Sequence, residues 1–190
     1  MSEQRANYDL PVMDSRQMKL MPALLLDFDG TIRYSKSGQK FIKSADDVAL
    51  YPGVEEKLWR SRREGYLILG VSNQGGVAFM IRSQADIEAE MDATLAQFSA
   101  NPFHAVKWCL HHEKGKHPAL GHRSLMRKPD IGMLVMHELE CFNAGIVVDW
   151  NNSLFVGDRP EDEECAKRAG IGFQWAWDFF GFEKPVDSKE

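Results

Sequence analysis

No stretch of this chain approaches the roughly twenty uncharged apolar residues that a membrane-spanning helix needs, so no membrane partner is expected. Cysteine is scarce. Cys109, Cys141 and Cys165 are odd in number and not spaced as a disulfide framework, which points to a reducing, cytoplasmic setting. Positive charge is also short, with 23 Lys plus Arg against 28 Asp plus Glu and a net charge of -5. That balance argues against a nucleic-acid platform, whose surface usually carries excess Lys and Arg, although a local basic strip is compatible with it. Met1 to Asn7 lead into no apolar signal core. Internal repeats and low-complexity tracts are missing too. What is present is ordinary for a globular protein, 44% hydrophobic and 27% charged over 190 residues, enough for one well-buried domain and short for two.

Residues 1–20 are polar and weakly patterned and read as a lead-in arm, followed by a domain over 21–182 and a tail over 183–190. Within the domain, short apolar runs predict buried strands: Ala23 to Leu26, Gly65 to Ser72, Ala105 to Leu110, Ser153 to Asp158, and Ile171 to Trp175. Helical patterns lie between them. Tyr51-Pro52-Gly53 marks a turn before a helix with Val54, Leu58 and Trp59 on one face. Ser83 with Asp86 forms a capping box ahead of Ile87, Met91, Leu95 and Phe98. Pro129 and Asp130 open a helix whose expected buried stripe is Ile131, Leu134, Val135, Leu139 and Phe142. A helix carrying Cys165, Ala166 and Ala169 stops at Gly170, a natural left-handed cap. Arg33 to Asp47 reads as a polar loop, and the alternating Phe173, Trp175, Trp177 and Phe179 as a strand with one packed face. Strands alternating with helices imply an α/β fold, a Rossmann-like three-layer sandwich around a parallel sheet.

The chemistry gathers at strand ends. Asp27 and Asp29 close the first run, and strand alternation would send both to one side, where two acids repel unless a cation or a proton relieves them. The same segment also reads as a strand end followed by solvated turn residues. Ser72 with Asn73 closes the second run and Asp158 the fourth, and in open parallel sheets the ligand crevice lies outside these carboxyl ends. Lys128, just before a helix, could add a positive charge. Carboxylates, a hydroxyl and an ammonium at one crevice suit a magnesium-bound phosphate.

Asp27-Phe28-Asp29-Gly30-Thr31, Val71-Ser72-Asn73-Gln74, Arg127-Lys128-Pro129 and Gly157-Asp158 with Asp162 resemble the four ordered motifs of the haloacid dehalogenase superfamily of phosphatases, over about Ala23 to Gly170. The resemblance implies a phosphomonoesterase in which Asp27 is the nucleophile, forming an aspartyl-phosphate, and Asp29 the general acid and then base. It implies that Ser72 and backbone groups near Asn73 bind the phosphoryl oxygens, and that Lys128 neutralises the transferring charge. It further implies magnesium held by Asp27, the Asp29 carbonyl and Asp158, with Asp162 behind them, and Arg127 in contact with substrate.

The short spacings between motifs leave no room for a large cap domain. Tyr51-Pro52-Gly53-Val54 and Ser72-Asn73-Gln74-Gly75-Gly76 are similar to the heptose-bisphosphate and histidinol-phosphate phosphatase branch, which implies a small phosphorylated metabolite as substrate. Cys109-Leu110-His111-His112 is similar to the first half of that branch's zinc loop. Ser124 and Met126 stand where its second half has cysteines, so zinc would need His112, His117 or His122 instead. Ser37-Gly38 with Phe41 and Leu50-Tyr51-Pro52 resemble the polynucleotide 3'-phosphatase module, which implies a DNA end as the alternative substrate. A noncatalytic binding module is the remaining alternative, and the state of association is left open.

Overall fold

Five apolar runs form one parallel sheet in the computed structural model, which describes residues 18–184. In chain order the strands are β1 (Lys19–Met21), β2 (Ala23–Leu26), β3 (Arg33–Ser35), β4 (Val48–Leu50), β5 (Leu67–Asn73), β6 (Ala105–Cys109), β7 (Ile146–Val148), β8 (Leu154–Gly157) and β9 (Gly172–Trp175). The helices are α1 (Val54–Arg63), α2 (Gln84–Leu95), α3 (Gly132–Asn143), α4 (Pro160–Ala169) and α5 (Ala176–Phe180). The main sheet runs β6-β5-β2-β8-β9. From β2 the chain steps outward to β5 and β6, then returns to the other side of β2 for β8 and β9. The strand order therefore reverses beside β2, and the crevice of such a sheet opens at that point, outside the carboxyl ends of β2 and β8.

Alternation along the strands splits the core into two faces. Leu25, Leu69, Val71 and Phe155 pack with Met133 and Leu134 of α3 and Cys165 and Ala166 of α4. Leu24, Leu26, Ile68 and Val156 pack with Val54 and Leu58 of α1, Ile87 and Met91 of α2, and Ala176 of α5. This is the three-layer sandwich, and among the described residues no separate cap domain is interposed over it. No helix among them is long and apolar enough to cross a membrane.

Several expectations change. The lead-in arm ends earlier, because Lys19–Met21 pairs in parallel with β7; residues 1–17 lie outside the described residues, as do 185–190 of the tail. The polar loop after Thr31 contains a hairpin, with Arg33 opposite Leu50 and Ser35 opposite Val48. On α3 the buried face is Met133, Leu134, His137 and Cys141, while Val135, Leu139 and Phe142 are exposed. Apolar residues occupy both faces of that helix. Burial of His137 is made tolerable by its hydrogen bond to the Gly70 carbonyl oxygen at 2.9 Å, a partner that only the packed sheet provides. The aromatic alternation stops at Trp175, where the chain turns into α5. Phe179, Phe180 and Phe182 pack against one core face and Phe173 against the other, so ordinary core packing explains this segment.

Phe28 lies wholly buried beneath the β2 carboxyl end. A Cβ on Gly70 would come within 2.6 Å of the Phe28 ring and 3.1 Å of a Val106 methyl. Gly70→Ala is expected to destabilise the protein by about 1–3 kcal/mol through overpacking, read as a lower denaturant midpoint. An unchanged midpoint would show that the ring is free to move.

Candidate active site

Lys128 is the centre of the carboxyl edge. It is 3% exposed, and its Nζ lies 2.5 Å from Asp27 Oδ1, 2.7 Å from Asp162 Oδ1 and 3.0 Å from the Val71 carbonyl oxygen, to which it donates. Asp162 Oδ1 has no hydrogen-bond partner besides this ion pair. Asn73, at the end of β5, clasps the lysine's main chain from both sides. Its Nδ2 donates to the Lys128 carbonyl and its Oδ1 accepts from the Lys128 N–H, each at 3.0 Å.

The acids arrive from two strands and one helix start. Asp27 continues β2, its N–H donating to the Val156 carbonyl at 3.0 Å. Asp158 follows β8. Asp162 sits in the first turn of α4, where its Oδ2 accepts from the N–H groups of Asp158 (3.2 Å) and Arg159 (3.1 Å). One oxygen from each of Asp27, Asp158 and Asp162 lies within 4.8 Å of the others. Two glycines permit this. A Cβ on Gly30, whose φ is +85°, would fall 2.2 Å from Asp158 Oδ2, and one on Gly157 would fall 2.4 Å from the Asp162 Cβ.

Three carboxylates around one buried ammonium leave an excess of negative charge. Burial pushes the Asp27 carboxyl up to about 6, with Asp162 and Asp29 adding to the rise and Lys128 opposing it. Burial, reinforced by the charge of Asp27, pushes Asp158 up to about 8. Burial works against the charge of Lys128, but Asp162 and Asp27 outweigh it and hold the ammonium above the usual lysine range. Asp158 Oδ1 is buried with no hydrogen-bond partner.

Asp29 departs from the expected geometry. β2 ends at Leu26, so strand alternation does not govern Asp29, and its carboxylate turns toward Arg33 instead of joining the three-acid cluster. Burial opposes its charge, yet Arg33 and the hydrogen bonds from Arg33 and Gln74 hold its carboxyl below the usual range. Gln74 Nε2 donates both to Asp29 Oδ2 at 2.6 Å and to Ser72 Oγ at 2.9 Å, tying the second strand's hydroxyl to this acid. Arg127 donates from Nη1 to the His111 carbonyl at 3.2 Å and lies beside Gly75.

The zinc expectation finds no ligand set. Cys109 Sγ lies 3.9 Å from His111 Nδ1, but both ring nitrogens of His122 face main-chain carbonyls, of Arg123 and Ala119. His112 and His117 each accept a backbone N–H at Nδ1. Among the described residues, the metal-capable cluster is the acidic one. Elsewhere a hollow of about 650 Å³, lined by Tyr51, Glu55, Trp59 and Arg63 among others, shares no residue with this cluster.

Sequence reasoning missed Arg33 and Arg159. The first was hidden in a polar stretch with no distinguishing pattern. The second follows Asp158 directly, its Nε 3.7 Å from Asp158 Oδ2, and adjacency to that strand-end acid was the available signal.

The family described as polynucleotide kinase 3 phosphatase matches residues 23–176. The chain is 29% identical over 157 residues to the D-glycero-D-manno-heptose-1,7-bisphosphate 7-phosphatase of Chlorobaculum tepidum, covering 81% of this chain and 77% of that relative. It is 31% identical over 163 residues to the D-glycero-beta-D-manno-heptose-1,7-bisphosphate 7-phosphatase of Mesorhizobium japonicum, covering 83% and 70%. A crystal structure of D,D-heptose 1,7-bisphosphate phosphatase from B. bronchiseptica, complexed with magnesium and phosphate, superposes with a TM-score of 0.62 at 26% identity, covering 82% of this chain and 79% of that one. A match across most of the chain, on a fold shared with these enzymes, means that the chain belongs to the polynucleotide kinase 3 phosphatase family, within the haloacid dehalogenase superfamily of phosphatases.

Proposed function

We propose that the chain is a magnesium-dependent phosphomonoesterase that works through an aspartyl-phosphate on Asp27 and takes a small phosphorylated metabolite, a sugar phosphate first among them. The observation that carries this reading is the buried Lys128 between Asp27 and Asp162, with Asp158 beside them at the strand-order reversal. The substrate class follows the heptose-bisphosphate phosphatases among its relatives. Cys109, Cys141 and Cys165 are unpaired and buried, in keeping with a reducing cytoplasm.

The residues fit a hard divalent cation. Oxygen donors are crowded together, repel one another, and include the unpartnered Asp158 Oδ1. Asp27, the Asp29 main-chain carbonyl and Asp158 would hold magnesium, with Asp162 supporting them. When bound, the ion supplies Lewis-acid charge at the phosphoryl oxygens.

The protein's own groups carry the rest. An Asp27 carboxylate oxygen attacks phosphorus as the bond to the ester oxygen breaks. Asp29, ionised beside Arg33 in the free protein, takes up a proton as the substrate's phosphate charge enters the site and gives it to that leaving oxygen. Water then attacks the phosphorus of the aspartyl-phosphate and yields its proton to Asp29, releasing inorganic phosphate and restoring Asp27. Ser72, backbone N–H groups near Asn73, and Lys128 oppose the phosphoryl charge, the main catalytic demand in phosphoryl transfer. Arg127 meets the rest of the substrate.

A nucleic-acid 3'-phosphate is the second reading, favoured by the family match and by the crevice having no cap domain over it. Steady-state assays with magnesium on sugar phosphates, amino-alcohol phosphates and a 3'-phosphorylated oligonucleotide separate the two. A sugar phosphate is expected to lead in kcat/KM, and an oligonucleotide leading by orders of magnitude would reverse the order. Asp27→Asn is expected to abolish turnover without lowering the Tm. Wild-type inactivity across the whole panel would make the chain a binding module.

A raised carboxyl pKa means that the folded chain binds more protons than the unfolded one. Asp158, moved from 3.8 to about 8, therefore makes the metal-free protein less stable as pH rises through that interval. Asp158→Asn is expected to stabilise the metal-free protein by ~1–3 kcal/mol at pH 8 and hardly at all at pH 4, while removing the rise in Tm that magnesium gives the wild type. Paired melts at both pH values check this, and a destabilised variant at pH 8 would contradict it.

A further inference from the structure

Arg33 is the largest of the fully buried side chains, at 0% exposure. A guanidinium so placed costs several kcal/mol unless its charge and its N–H groups are matched. The match is asymmetric. Nε donates to Asp29 Oδ1 at 2.8 Å and Nη2 to Asp29 Oδ2 at 3.3 Å, a two-point grip on one carboxylate. Nη1 points the other way, donating to Thr94 Oγ1 at 2.8 Å and to the Glu90 carbonyl at 3.3 Å. Thr94 is itself wholly buried and donates back to the Glu90 carbonyl at 2.7 Å, so α2 braces the guanidinium from behind. The Glu90 side chain is paired with Arg82, whose Nη1 holds the Ile42 carbonyl at 2.8 Å, extending the brace to the neighbouring loop.

Asp29 is therefore fixed on both oxygens, by Arg33 on Oδ1 and Oδ2 and by Gln74 on Oδ2, while its side chain stays 32% exposed. The buried carboxylate nearest to hand, that of Glu90, is taken up by Arg82 and gives Arg33 only its main-chain carbonyl. The fork instead grips the partly open carboxylate at the crevice.

We propose that Arg33 is a positioning residue for the reaction: braced by Thr94, it sets the direction in which Asp29 presents its carboxyl to the leaving-group oxygen and then to the attacking water. This rests on the reading of Asp29 as the proton carrier. Arginine is required because only its planar fork fixes a carboxylate in orientation as well as in place.

The test measures alcohol release in the first turnover, with saturating magnesium, from 4-nitrophenyl phosphate and from a simple alkyl phosphate. Nitrophenolate leaves without a proton, whereas an alkoxide needs one. Asp29→Asn is run first and is expected to lose at least ~100-fold on the alkyl ester and under ~5-fold on the nitrophenyl ester. Equal losses there would end the reading of Asp29, and this proposal with it, irrespective of Arg33. Given that split, Arg33→Lys, which keeps the charge and removes the fork, is expected to reproduce it in the first-turnover rate, with the half-saturating ester concentration within about twofold. Thr94→Val, which removes only the brace, is expected to show the same split at roughly 5–10-fold, and it decides the matter if Arg33→Lys does not fold. Equal losses on both esters, or no loss, in the folded variants would overturn the proposal and leave Arg33 a structural ion pair.

Discussion

A buried ammonium among three carboxylates is the constraint on which the carboxyl edge depends. Lys128 draws together Asp27 after β2, the Val71 carbonyl of β5 and Asp162 in α4. Removing charges from water is expensive, and mutual attraction repays it only where geometry and hydrogen bonding are good. Here the balance is deliberately incomplete. Burial first, and then the crowding of acids around one buried ammonium, holds Asp27 and Asp158 above their ordinary pKa even with Arg159 beside Asp158, and the site retains an unmet demand for positive charge. A structural ion pair would have no reason to leave Asp158 Oδ1 unpartnered.

The sheet makes that arrangement possible. Because strand order reverses beside β2, the ends of β2 and β8 stand side by side, and residues some 130 positions apart meet there. The backbone must then approach the acids closely. Gly30 and Gly157 supply that approach, since a side chain at either would collide with Asp158 or Asp162. Phe28, turned into the core between the two acids, anchors the strand end against a third glycine, Gly70.

Further polar contacts surround this centre. Asn73 locks the lysine's main chain, Gln74 joins Ser72 to Asp29, and Arg33 links Asp29 to α2. Fully satisfied networks of this kind rigidify their members, which matters where a reacting atom must be held within fractions of an ångström. The proposed nucleophile and the proposed proton carrier are thus held by different partners, Asp27 by a lysine and Asp29 by an arginine. Their directions are set independently.

Most of the sheet and the acids at its edge were legible in the chain itself. Apolar runs ending in Asp27, Ser72 and Asp158 are local signals, and hydrophobic burial with strand alternation converts them into parallel strands regardless of the details beyond. Gly170, as a helix stop, and the Ser83–Asp86 capping box are equally local, and both appear as read. What the chain did not reveal are choices among partners distant in sequence. The buried face of α3, the turn of Asp29 toward Arg33, the pairing of Lys19–Met21 with β7 and the loop histidines facing their own backbone are examples. Local pattern determined which residues are apolar and where strands end. Only the assembled structure decided which polar group meets which, because a buried charge takes its conformation from the one partner within reach, and that partner need not be a neighbour in sequence.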